Sequence, residues 1–115
     1  MIITVEGTKS FSDYDIFMRA MAVAMSSKPT DIQVWSLGPH KINNFTAGFC
    51  NLTTRYLKGV GTKIRFFNVS YDWVKQNADH IDYFAFFSTP NEPLSKFTKW
   101  LQSEKENVEI GVFRY

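Results

Sequence analysis

A chain of 115 residues can build one hydrophobic core but not two, so residues 1–115 read as a single domain. Its 13 basic and 11 acidic residues leave a net charge of +2. Lys and Arg are scattered and form no dense basic stripe, which argues against nucleic acid as the partner. Cys50 is the one cysteine, which excludes an intrachain disulfide and a cysteine-built zinc site.

Ile2 to Val5 is a short β-rich apolar run and reads as the first strand. Ser12-Asp13-Tyr14-Asp15 resembles a capping box with Asp in place of Glu, and it opens a helix. Ile16, Phe17, Ala20, Met21, Ala24 and Met25 recur at three and four residues along that helix, and Lys28-Pro29-Thr30 ends it. Ile32 to Trp35 is the second strand, followed by a Leu37-Gly38-Pro39 turn. Asn43 or Asn44 can cap a second helix with Phe45, Phe49, Leu52, Tyr56 and Leu57 on one side, and Gly59 suits its C-terminal position. Lys63 to Val69 is the third strand, and Ser70 caps a short helix from Tyr71 to Asn77. Tyr83 to Phe87 is apolar throughout, as expected of a central parallel strand buried on both faces. A last helix carries Leu94, Phe97, Trp100 and Leu101, and Val108 to Phe113 closes as the fifth strand.

This alternation predicts an α/β fold: a doubly wound, mainly parallel sheet of about five strands flanked by helices. The order 3-2-1-4-5 is favoured, with 2-1-3-4-5 left open by the pattern. No apolar run reaches the roughly twenty residues of a membrane span. The N-terminus shows no basic segment leading into an apolar one, so no secretion signal is read and a reducing cytoplasm is expected. The sequons at Asn44, Asn51 and Asn68 accordingly read as unmodified.

In open α/β sheets ligands bind beyond the carboxyl ends of the strands, at the switch in strand order. Three predicted loops face that crevice: Gly7-Thr8-Lys9-Ser10, Gly38 to Asn43, and Ser88-Thr89-Pro90-Asn91. Each leads toward a helix N-terminus, where unpaired amides and the helix dipole favour an anion. Lys9, His40 and Lys41 add charge, and Thr8, Ser10, Asn43, Ser88, Thr89 and Asn91 add hydrogen-bonding groups. Gly7 and Gly38 supply the turns. The same residues are also what ordinary βα turns require. Neither G-x-G-x-x-G nor G-x-x-x-x-G-K-[ST] is present, which argues against a dinucleotide fold and a P-loop.

Elsewhere, His40 and His80 lie far apart in the chain, so a paired-histidine metal site is not expected. No cofactor is implied. Cys50, in the apolar region of the second helix, reads as a buried structural thiol. Nothing resembles a Ser-His-Asp triad in spacing. Eleven Phe, five Tyr and three Trp exceed what one small core needs, so some should lie on a surface that binds something. Adjacent Phe66-Phe67 and Phe86-Phe87 point to opposite sheet faces and are expected in the core. Tyr71, Trp73 and Trp100, if exposed, would mark a subunit interface and a homodimer or higher oligomer.

The opening I-I-T-V-E-G-T-K-S-F-S-D-Y resembles the start of small SLOG-superfamily proteins of the YspA type, where a strand runs into G-[ST]-R-x-[FW]-x-[DN]-Y. Gly7, Thr8, Lys9, Phe11, Asp13 and Tyr14 match in place, with Lys9 standing for the family's arginine. The second family motif, G-G-A-R-G-A-D, is represented by L-G-P-H-K-I-N, with Gly38 matching, His40 at the arginine and Asn43 at the aspartate. Phe67 to Trp73 is similar to the family's F-x-A-D-W, keeping Asp72-Trp73. In place of the family's glycine-threonine turn after the fourth strand stands Ser88-Thr89-Pro90-Asn91.

The resemblance implies a Rossmann-like domain that binds nucleotides or nucleotide-derived ligands through strand-end loops. With the three convergent loops, the first expectation is non-catalytic binding of a nucleotide or nucleotide-derived signal. The short divergent form is similar to bacteriophage versions, which implies a host protein or host signalling as its target. A second expectation is a protein-interaction module with a degenerate pocket. A third is a nucleoside-monophosphate phosphoribohydrolase, in which Glu6 or Glu92 would act as the acid–base group. The P-G-G-x-G-T-x-x-E stretch of such enzymes is missing.

Overall fold

The alternating pattern resolves into one parallel sheet in the order β3-β2-β1-β4-β5, a Rossmann-like α/β arrangement. The computed structural model describes residues 1–26, 31–37, 40–57, 63–105 and 107–114, with the backbone alone for His40 and residues 52–57. The strands are β1 (Ile2–Gly7), β2 (Asp31–Leu37), β3 (Lys63–Asn68), β4 (Tyr83–Ser88) and β5 (Glu109–Arg114). The helices are α1 (Tyr14–Ala24), α2 (His40–Leu57), α3 (Tyr71–Gln76) and α4 (Lys96–Glu104), with a 3-10 turn at Ala78–His80.

Chain order follows from the crossovers. β1, β2 and β3 are laid down in one direction and β4 returns to the other side of β1, so the switch in order falls between β1 and β4. Consecutive strand residues point to opposite faces, and the two faces are therefore distinct cores. On one, α1 and α2 cover Ile3, Val5, Ile32, Val34, Ala85 and Phe87 with Phe17, Met21, Ile42 and Phe49. On the other, α3 and α4 cover Trp35, Leu37, Phe84 and Phe86 with Val74, Phe97 and Leu101. All six residues of β4 are buried, as its uninterrupted apolar run predicts.

Helix starts are set by side-chain caps. Asp13 accepts from the Ile16 amide, Ser70 from Trp73 and Ser95 from Thr98, each satisfying an amide with no partner inside the helix. The cap of α1 is thus Asp13 and not Ser12. α2 begins earlier than the expected Asn43 or Asn44 cap: His40, Lys41, Ile42 and Asn43 are already helical. The loop expected over Gly38 to Asn43 is therefore corrected to a helix start, with Gly38 and Pro39 outside the described residues. Lys28 to Thr30 and Gly59 also lie outside them.

A second correction concerns Phe67. Phe66 packs against the α1/α2 core, but Phe67, on the opposite face, is 40% exposed. The reason is length. α3 has six residues, about 9 Å of helix at 1.5 Å per residue, too short to cover the outermost strand as well as β2.

Candidate functional site

The turn after β1 was expected to cradle an anion, and it does hold one: the carboxylate of Glu92, from the loop after β4. Oε1 accepts from Thr8 Oγ1 at 2.7 Å, from Thr89 Oγ1 at 2.6 Å and from the Thr89 amide at 2.8 Å. Oε2 accepts from Ser10 Oγ at 2.8 Å. These donors, Thr89 foremost, hold the Glu92 carboxyl down at about 2, below its ordinary 4.5. The Thr8 amide continues the sheet by donating to the Phe87 carbonyl, and the Phe11 amide closes the turn on the Thr8 carbonyl.

A second carboxylate runs the opposite way across the same crevice. Glu6 is the penultimate residue of β1 and is 2% exposed. Its Oε2 accepts from the Tyr71 hydroxyl at 2.5 Å. Its Oε1 accepts from Ser95 Oγ and, at 3.1 Å, from Thr98 Oγ1. Burying a carboxylate is costly unless hydrogen bonds replace its water, and three hydroxyls do so here. Burial of Tyr71 and its bond to Glu6 push the phenol pKa well up, so the proton stays on Tyr71. The two loops thus exchange carboxylates: Glu6 of β1 is held by the start of α4, and Glu92 before α4 is held by the turn after β1.

Beside Glu6 opens a cavity of about 280 Å³ lined by Tyr71 and Lys75 of α3, and by Ser95, Lys96 and Phe97 at the start of α4. It lies between two helix starts at the carboxyl end of β1, which is the switch point. Two oxygens of a carboxylate offer about four acceptor positions. Glu6 uses three, two on Oε1 and one on Oε2, so Oε2 can accept once more. Lys75 and Lys96 are exposed, and Lys75 also sits 5.4 Å from the centre of the Trp100 ring.

The other expected residues are dispersed. Gly7 ends β1 fully packed, and a Cβ there would run into Cγ1 and Cδ1 of buried Ile42. Its glycine is explained by the close approach of α2. Lys9, Lys41 and Asn91 are exposed, and Lys41 stands on α2 and not on a loop. Asn43 accepts from Ser36 Oγ at 2.6 Å. The Ser88 hydroxyl, like that of Thr4, is buried with no hydrogen-bond partner among the described residues. Gly38 and the His40 side chain lie outside the described residues. Cys50 is buried as expected, and burial pushes its thiol up to about 11.

Sequence reasoning missed Tyr71, Lys75, Ser95, Lys96 and Thr98 as companions of Glu6. One signal was present: Glu6 continues the Ile2-Thr4 face of β1, a carboxylate pointing where the strand packs inward.

A further depression, about 560 Å³, lies on the α3 side of β2 and β3. It is lined by Gln33, Trp35, Phe67, Asn68, Ser70 and Trp73, among others. Trp35 and Trp73 meet edge to face with centroids 4.6 Å apart, and the Trp35 indole donates to Gln33 Oε1. Among the described residues no helix is long and apolar enough to cross a membrane, and no three His, Cys, Asp or Glu side chains are placed to hold a metal. Comparison with protein-family models, with curated proteins and with solved structures finds no match for this chain.

Proposed function

We propose that this chain binds a phosphorylated polyol ligand of the nucleotide type at the switch-point crevice, and does so without catalysis. The observation that carries the reading is the Glu6 cavity: a buried carboxylate with acceptor capacity to spare, rimmed by Lys75 and Lys96. A carboxylate accepts from sugar hydroxyls or exocyclic amines, and two ammonium groups at the rim attract a phosphorylated ligand into the crevice. At 280 Å³ the cavity takes one part of such a ligand, since whole-ligand pockets run from about 300 to 1,000 Å³. The resemblance of residues 7–14 to SLOG proteins supports the same reading.

A ligand that binds only the folded chain must raise its stability. Mono-, di- and cyclic nucleotides at millimolar concentration should therefore raise Tm saturably, and Lys96→Ala should shift the midpoint of that rise to higher ligand. Absence of any rise across these ligands, or a rise unchanged in both Lys96→Ala and Glu6→Gln, overturns the reading.

The aromatic shelf favours a second reading, a protein-interaction module. Phe67 and Trp73, each about two-fifths exposed, line the depression beside β2 and β3 and make up this shelf, and aromatics concentrate at interface cores. Affinity capture from bacterial lysate should then return one stoichiometric protein that Phe67→Ser releases and Lys96→Ala retains. Recovery of no partner removes this reading.

A further inference from the structure

We propose that Glu92 is a built-in competitor of the ligand's oxyanion, occupying the donors of Thr8, Ser10 and Thr89 until an external phosphate displaces it. The inference rests on the crevice reading above and assigns it a regulation.

The geometry of the contacts carries it. Four donors converge on one side chain, and three of the four fall on Oε1 while Oε2 receives only Ser10. A carboxylate oxygen has two lone pairs in its plane, so three donors exceed its good positions while the other oxygen is underused. A phosphate monoester presents three terminal oxygens and spreads four donors without that crowding. All four donors are neutral. No lysine or arginine forms an ion pair with Glu92 among the described residues, where the ion pairs are Arg65 with Asp31 and Lys105 with Asp79. Lys9 is exposed in the same turn, one residue from each of the two hydroxyl donors, where a more highly charged oxyanion gains more from it than a carboxylate does.

The occupant is tethered, and this sets how it can be removed. An intramolecular group acts at an effective concentration of millimolar or more, so weak external anions do not displace it. Protonation does not release it either until the medium approaches the pH of about 2 at which the carboxyl titrates. Competition by a ligand already anchored through its polyol end at Glu6 is the remaining route, because the second contact is then intramolecular as well. The tether thus selects for ligands that engage both ends of the crevice over free phosphate.

The test uses the full chain as wild type, Glu92→Gln, Glu92→Ala and Thr8→Val/Glu92→Ala, each checked for folding by circular dichroism. Inorganic phosphate and AMP are titrated calorimetrically at fixed ionic strength. Glu92→Ala should bind both probes at least tenfold more tightly than wild type, Glu92→Gln should fall between, and Thr8→Val should cancel the gain. AMP affinity equal in wild type and both single variants overturns the competitor and leaves the crevice reading standing. Weaker binding in the Glu92 variants overturns it too, because Glu92 then supports the bound state. A gain that Thr8→Val does not reduce marks an adventitious ion only. No binding of either probe to any form overturns both the competitor and the crevice reading.

Discussion

The switch-point crevice and the aromatic shelf occupy the same face of the same sheet, yet they are finished in opposite ways. In the crevice the polar groups are mostly paired within the chain itself: Glu6 with Tyr71, Ser95 and Thr98, leaving one Oε2 position open, and Glu92 with Thr8, Ser10 and Thr89. On the shelf the apolar groups are left over: α3 covers Trp35 of β2 but is too short to reach Phe67 of β3, and its own Trp73 stays 41% exposed. Buried polar groups cost most when unpaired, whereas exposed aromatic surface costs little in a folded monomer. Substitutions in the crevice should therefore be felt first in stability, and substitutions on the shelf first in association.

The largest effect should come from Glu6→Ala. It strips the acceptor from two buried or half-buried hydroxyls, Ser95 and Thr98, and from Tyr71. Hydrogen bonds to a charged group are worth about 1.5–3 kcal/mol each, partly recovered here because Ser95 and Thr98 can bond to one another at 2.8 Å. A loss of about 3 kcal/mol in urea denaturation is expected. A loss no larger than that of an ordinary surface change, about 0.5 kcal/mol, would break the contrast at its crevice end.

Trp73→Ala tests the other end. Its edge-to-face contact with Trp35 is worth about 1 kcal/mol, and the ring is 41% exposed, so a loss of about 1–2 kcal/mol is expected by the same denaturation. A loss above that of Glu6→Ala would mean that the shelf is a core in its own right and not a leftover surface.

The strands themselves, the buried β4 and the Ser70-capped start of α3 could all be read from local pattern, because periodicity and caps are local properties. The choice of 3-2-1-4-5 over 2-1-3-4-5, by contrast, is made by the crossovers. The identity of the anion at Thr8 and Ser10 could not. Glu92 is more than eighty residues away in sequence, and only the return of β4 to the side of β1 brings them together. Phe67 was misjudged for a related reason. Its own position says strand, but its exposure is set by how many residues α3 has. Gly7 shows that a right residue can carry a different reason, since Ile42 explains it without any ligand.

The smallest signal is also the most specific, and it appears in acid. Glu92 titrates at about 2 in the folded chain against an ordinary 4.5. The unfolded chain therefore binds more protons between those values, and the folded state loses stability as pH falls through them. The contribution of this clasp, the four hydrogen bonds from Thr8, Ser10 and Thr89 to Glu92, is complete above pH 4.5 and gone near 2. Asp79, also lowered, by Lys105, tilts the curve in the same direction, so the quantity to read is the difference between wild type and Glu92→Gln. That difference should be flat from pH 7 to about 5 and shrink steadily below, while Lys96→Ala leaves the slope unchanged. Because Glu92 lies at the surface, solvent and salt screen the effect, and the measurement belongs at low ionic strength. A difference that stays constant down to pH 2.5 would mean that the four donors do not hold the carboxylate. The clasp would then be no obstacle to a ligand, and the crevice would differ from the shelf in composition alone.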